Sequence, residues 1–231
     1  MYWEQGEDRE FVSAGDEVVD VTFRIVCRAL PVDHAQPLAD AVTRLLPWFL
    51  DEPNAGIHSI HVADSGNGWM RPGNADDLVY PSRRTRLALR VPGERVEHAM
   101  RLTGQIIDVA GNPLEIGEAA VRPLTTLTTL FARYVVVDDH DDEQTFLANI
   151  AAALEGRGIR ARKMMCGISK TIRTPGDTIR TRSLMLADLS VADSIRLQQE
   201  GLGPHRHLGC GLFIPHKDIK KVRGDDNDTG R

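Results

Sequence analysis

Gly201-Leu-Gly-Pro-His-Arg-His-Leu-Gly-Cys-Gly-Leu-Phe-Ile-Pro215 lies between a helical pattern and the last short apolar run of the chain. Four glycines, Gly201, Gly203, Gly209 and Gly211, share this stretch with His205, Arg206 and His207. Glycine adopts backbone angles closed to other residues, so such a loop can turn several N–H groups toward one point, where phosphate oxygens bind. The basic side chains then stand beside that nest. The stretch reads as a phosphate-binding loop in which Gly201, Gly203, Arg206, His207, Gly209 and Gly211 contact the ligand.

Upstream of the loop, residues 129–138 form an apolar strand, and 143–155 a helix with Leu147, Ile150 and Leu154 on one stripe. Strands follow at 159–168 and 178–188 around a 170–177 hairpin loop, then a helix at 191–200 and a last strand at 212–215. The order is β-α-β-β-α-β. The first half repeats it. Val19, Val21, Phe23, Ile25 and Cys27 alternate with mostly polar residues, and a helix over 34–46 carries Leu38, Val42 and Leu45 on one side, with Asp33 placed to cap it. Strands at 57–62 and 86–91, a helix at 95–102 and a hairpin of 105–109 with 113–116 complete the unit. The pattern predicts an α+β chain of two tandem ferredoxin-like (βαββαβ) domains, 18–123 and 124–222. A flexible tail at 1–17 precedes them and a disordered tail at 223–231 follows.

Three segments in this order also carry a family resemblance. The loop pattern Gly-x-Gly-x-x-[basic]-x-x-Gly-Cys-Gly-Leu resembles the glycine-rich loop of the RAMP superfamily, the RNA-binding proteins of CRISPR systems. Within it, the sequence is most similar to the endoribonucleases that cut CRISPR repeat transcripts (the Cas six family). Leu30-Pro-Val-Asp-His34 and Gly56-Ile-His-Ser-Ile-His-Val-Ala-Asp-Ser-Gly-Asn-Gly-Trp-Met-Arg-Pro72 resemble the subtype first described from myxobacteria. The resemblance runs from about residue 18 to 219, and three ordered segments are more specific than one glycine loop. It implies a RAMP-type tandem fold and metal-independent cutting of CRISPR precursor transcripts within the repeat. It also implies CRISPR repeat RNA as partner, with other CRISPR effector subunits as further candidates. The alternative it leaves open is a non-catalytic RAMP subunit that binds RNA in an effector complex.

Composition bounds these readings. Net charge is −5, yet the residues from Arg157 to Arg223 hold fourteen Lys and Arg against five Asp and Glu. Steering depends on local field, so a basic half on an acidic protein is an electrostatic footprint for RNA. No apolar run reaches membrane-spanning length, which excludes a helical membrane anchor and predicts a cytoplasmic protein. The three cysteines, Cys27, Cys166 and Cys210, lack zinc-ligand spacing and read as reduced thiols.

Arg160 and Arg162 are expected on one face of their strand and Arg180 and Arg182 on one face of theirs, with Lys170 and Arg173 at the basic hairpin between. Such a ladder on an open sheet face suits an RNA backbone. Arg71, Arg83 and Arg84 form a second basic cluster near Trp69. Aromatics are only 5% of the chain, and no strand shows an interleaved aromatic pair, so a base-stacking platform is not expected.

Metal-free RNA cleavage uses the 2′-hydroxyl as nucleophile, and histidine suits both proton transfers because its ordinary pKa is near neutrality. His34 opens the first helix, where orphan N–H groups favour an anion. On the next strand His58 and His61 point to opposite faces, and His61 is nearer the polar loop. Family members commonly use a histidine on or just after the first helix, though they differ in which one, and some use a tyrosine or lysine with it. The resemblance thus implies His34 and His61 as catalytic residues, with His58 in reserve. No cofactor and no metal site is expected: His205 and His207 lack a further ligand set, and Asp138–Asp142 cannot all point at one ion.

Overall fold

The alternation in Val18–Cys27 builds β1, whose odd-numbered apolar residues from Val19 to Ile25 are buried. The computed structural model describes residues 17–62 and 74–216. The tails at 1–16 and 223–231, Trp69 and Arg71 lie outside the described residues. After β1 come β2 (Leu30–Pro31), α1 (Ala35–Leu45), β3 (Gly56–His58), β4 (Leu78–Val79), β5 (Arg86–Pro92), α2 (Val96–Met100), β6 (Ile106–Val109) and β7 (Asn112–Pro123). The second half runs β8 (Leu130–Val136), α3 (Glu143–Glu155), β9 (Lys163–Thr174), β10 (Asp177–Ala187), α4 (Val191–Glu200) and β11 (Phe213–Pro215). No helix among the described residues is long and apolar enough to cross a membrane.

The first sheet has the order β3-β5-β1-β7-β6 and the second β11-β8-β10-β9, all antiparallel; β2 and β4 form a separate short ladder. In each sheet the first strand of the unit lies between its third and its last. That is the ferredoxin-like arrangement, made twice. One core gathers Val21, Phe23, Leu38, Val42, Leu87 and Leu89, the other Leu130, Ala132, Ile150, Leu184, Leu197 and Phe213.

Several boundaries differ from expectation. The strand at 57–62 is only Gly56–His58, and the helix at 95–102 begins as a single 3₁₀ turn before α2. Asp33 does not cap α1: His34 occupies the cap position without a side-chain bond, and the Asp33 carboxylate is turned to Arg173. The 170–177 loop is a two-residue turn, Pro175-Gly176, with Gly176 at φ +96°. Proline and then a positive-φ glycine are what a tight turn needs, and the β-branched Thr171, Ile172 and Thr174 extend the strand to meet it. The β9–β10 hairpin is therefore an arm. Its Ile172 and Ile179 pair with each other and are buried in the first half's core, beside α1.

Candidate active site

Besides the arm, two contacts join the halves. The first is the glycine loop, whose amides serve the fold. Gly201 N–H donates to Leu197, Leu202 to Gly211, Gly209 to Arg206, Cys210 to His205 and Gly211 to Tyr134, all to backbone carbonyls. The loop's Leu208 and Cys210 are buried in the first core. Gly209 passes so close to β3 that an added Cβ would stand 3.1 Å from the Ile57 carbonyl oxygen and 3.3 Å from the Ser59 nitrogen. A Cβ on Gly211 would collide with the Leu202 backbone, and Gly211 sits at φ +66°. Arg206 points inward as well, donating to the carbonyls of Asn54 (2.9 Å), Ala55 (3.3 Å) and Gln199 (3.1 Å). Burial, with Arg90 and Arg157 nearby, pushes its pKa down to about 10, so it stays charged at neutral pH. The expected phosphate nest of Gly201, Gly209, Gly211 and Arg206 is thus corrected to an interdomain clasp, because backbone carbonyls already take these donors. His207 is half-buried, which lowers its pKa, and its ring meets His205 edge-on. Gly203 is exposed.

The second contact is a buried charge cluster. Arg90, 1% exposed, binds Asp20 through Nε (2.9 Å) and Nη2 (3.0 Å). Its Nη1 donates across to the carbonyls of Gln198 (3.0 Å) and Phe213 (2.8 Å). His58 Nε2 lies 3.3 Å from the same Asp20. Burial works against the Asp20 carboxylate, but the His58 and Arg90 contacts outweigh it and hold its pKa well below the usual range. Burial, assisted by Arg90 and Arg206, lowers the pKa of His58 despite Asp20, so the imidazole is neutral and Arg90 is the countercharge. The reserve candidate His58 is occupied in holding this cluster. Asp20 and Arg90 escaped the sequence reading, although a lone charge inside Leu87-Ala-Leu-Arg-Val91 was the available signal.

Between these contacts and the arm a cleft of about 510 Å³ opens. Asp33, Ala35 and Ser59 of the first half line it opposite Tyr134, Ser169, Lys170, Thr171 and Arg180 of the second. The Lys170 ammonium stands 5.4 Å from the centre of the Tyr134 ring. His34, between the lining residues Asp33 and Ala35, is only 1% exposed. Its Nδ1 lies 2.8 Å from the Pro31 carbonyl and its Nε2 accepts the Ile60 N–H at 3.1 Å. A carbonyl partner requires the proton on Nδ1, so His34 is the neutral tautomer with its lone pair on Nε2. His61 is exposed, two residues beyond Ser59.

The arginine ladder is rearranged. Arg160 and Arg162 are exposed but precede β9, because the strand begins at Lys163. A bulge sets Gly167 and Ile168 against Ser183, since Arg182 pairs with Ser169 while Leu184 pairs with Cys166. The bulge leaves β10 itself regular, so Arg182 shares the helix-covered face with Leu184 two residues on: it pairs with the buried Val135 and lies beside the Cys166 thiol and near Asp142. Arg180 turns the same way and donates to the Asp139 carbonyl. At the arm's end Arg173 is held by Asp33 (3.2 Å) and Asp76 (2.6 Å). The expected open-face ladder of Arg180 and Arg182 is corrected on this ground, and carboxylate partners invisible in the strand sequences are supplied by other elements. Arg83 and Arg84 are exposed ahead of β5.

Comparison with known proteins places this geometry. A family model described as Cas6 Crispr matches residues 19–218. The chain is 32% identical over 205 residues to the CRISPR-associated endonuclease Cas6 of Myxococcus xanthus (strain DK1622), covering 89% of this chain and 84% of that protein. Its fold is similar to a solved CRISPR associated protein Cas6 (TM-score 0.59, 10% identity, 87% of this chain and 100% of the other). It is also similar to Thermus thermophilus Cse3 bound to an RNA representing a pre-cleavage complex (TM-score 0.50, 11% identity, 86% and 98%).

Proposed function

The chain belongs to the Cas6 family, and from that premise we propose that it is an endoribonuclease that cuts CRISPR precursor transcripts within their repeats. The observation that carries this reading is the cleft, in which Lys170 and Tyr134 of one half face the His34-bearing turn of the other. The scissile phosphate lies against Lys170, whose ammonium stabilises charge on the non-bridging oxygens. The 2′-hydroxyl loses its proton to a base and attacks phosphorus; the P–O5′ bond breaks, and an acid gives O5′ its proton. The products are a 2′,3′-cyclic phosphate and a 5′-hydroxyl, formed without a metal. Of the candidates His34, His58 and His61 only His61 is exposed, and it is the one that meets the substrate without rearrangement. His34 already has the tautomer of a base, and RNA entry exposes it by drawing the Ile60 amide off Nε2. Arg83 and Arg84, with Arg160, Arg162 and Arg71, hold the flanking backbone.

One observation favours the second reading, a RAMP subunit that binds RNA without cutting it: His34 is buried with both ring nitrogens engaged. The two readings share their binding behaviour, which titration of RNA against salt measures. Affinity is expected to fall with a log–log slope of roughly −0.7 to −0.9 per phosphate contact, and Lys170→Ala should flatten it by about one such step. Affinity that ignores salt contradicts both.

A further inference from the structure

We infer that the uncovered face of the second sheet is a stacking platform for unpaired nucleotides of the RNA, a deepening that rests on the function proposed above. Ile214 pairs with Phe131, Phe131 with Met185 and Met185 with Met165, so one lateral row crosses β11, β8, β10 and β9. Paired residues of antiparallel strands point to the same side. That side is the one away from α3 and α4, because the neighbouring row of Ala132, Leu184 and Cys166 is buried in the core. None of the four residues belongs to either core cluster, and Met165 is 60% exposed.

The chemistry of the row singles out its occupant. His216 lies 6.0 Å from the Phe131 ring and the Arg133 guanidinium 6.0 Å over it, so ring, imidazole and cation meet at one place. Base faces stack on such groups whatever their sequence, and the arginine adds cation–π attraction and a phosphate partner. Lys163 enters the same face opposite Ala187, which keeps the surroundings basic apart from its own partner Asp188. Gly167 and Ser183 leave the centre flat. The face is continuous with the cleft through Tyr134 of β8 and Ile168 of β9, both cleft-lining. A strand of RNA leaving the cleft therefore runs onto it. Within β8 the aromatics Phe131 and Tyr134 stand three residues apart, outside the alternating spacing, and the fold adds the His216 ring from the residue after β11.

The test measures Kd of the full chain for a labelled repeat RNA and for the same RNA trimmed of its unpaired flanks, with Phe131→Leu and His216→Ala beside the unchanged protein. His216→Ala leaves the sheet intact should Phe131→Leu fail to fold. Each variant is expected to weaken binding of the untrimmed RNA by about 5- to 150-fold, the range of one lost base stack. For the trimmed RNA the variants and the unchanged protein should agree. Equal affinities for the untrimmed RNA overturn the platform while leaving the endonuclease standing, since the unchanged protein still binds and cuts. Should Phe131→Leu alter only self-association, the face belongs to a second copy of the chain and the proposal fails. An unchanged protein that binds no RNA overturns both readings together.

Discussion

Replacing His61 with alanine is expected to slow cleavage of a repeat RNA by ~10²–10⁴-fold, the usual contribution of one proton-transfer group. Affinity should change little, because one exposed side chain is a small part of a backbone contact shared among several basic residues. The equivalent change at His34 acts differently. His34→Ala removes a buried ring bonded to Pro31 and Ile60, so it lowers stability as well as rate. His34→Asn keeps a donor near the Pro31 carbonyl and separates the two effects. A folded His34→Asn protein that binds RNA and does not cut identifies His34 as a proton carrier, and one that cuts normally leaves it a support for Ile60. Single-turnover rates with saturating RNA, read beside thermal unfolding, decide the matter.

The second large effect falls on the joint between halves. Arg90→Met is expected to cost about 3–5 kcal/mol, because it leaves the Asp20 carboxylate and the carbonyls of Gln198 and Phe213 without their cation. Urea unfolding measures the loss, and adding Asp20→Asn should restore part of it, since the uncompensated charge then disappears. The pH dependence has a definite sign. In the unchanged protein the folded-state pKa of Asp20 is depressed, so its contribution is present above the unfolded value and is lost as pH falls through the folded one. Without Arg90 one of the two partners that lower the carboxyl is lost, so its pKa rises from that of the unchanged protein and acid costs the variant less. The gap between the two proteins should narrow toward low pH.

Much of this architecture could be read before any coordinates. Alternation in β1 and the helical stripe of Leu147, Ile150 and Leu154 are local patterns, and local patterns survive folding. The long-range partners could not be read. The glycines of the 201–215 loop announced a special backbone, but a glycine permits either an open nest or a close approach. Only the docking of Gly209 against β3 decides between them. Likewise, Arg180 and Arg182 share a face by counting, and the same count puts them on the face of Leu184 and Leu186, but that α3 covers that face is a tertiary fact. Arg173 looked unpaired because Asp33 and Asp76 lie far away in sequence. The histidine set was legible as residue types, and the distinction among a buried His34, an Asp20-bound His58 and an exposed His61 was not.

The most direct test of the account is to incubate the purified protein with end-labelled CRISPR repeat RNA in EDTA and to map the cut and its termini. A single cut within the repeat is expected, leaving a 5′-hydroxyl and a 2′,3′-cyclic phosphate. A cut that appears only with Mg²⁺ and leaves a 5′-phosphate contradicts 2′-hydroxyl attack, and tight binding without any cut contradicts the endonuclease itself.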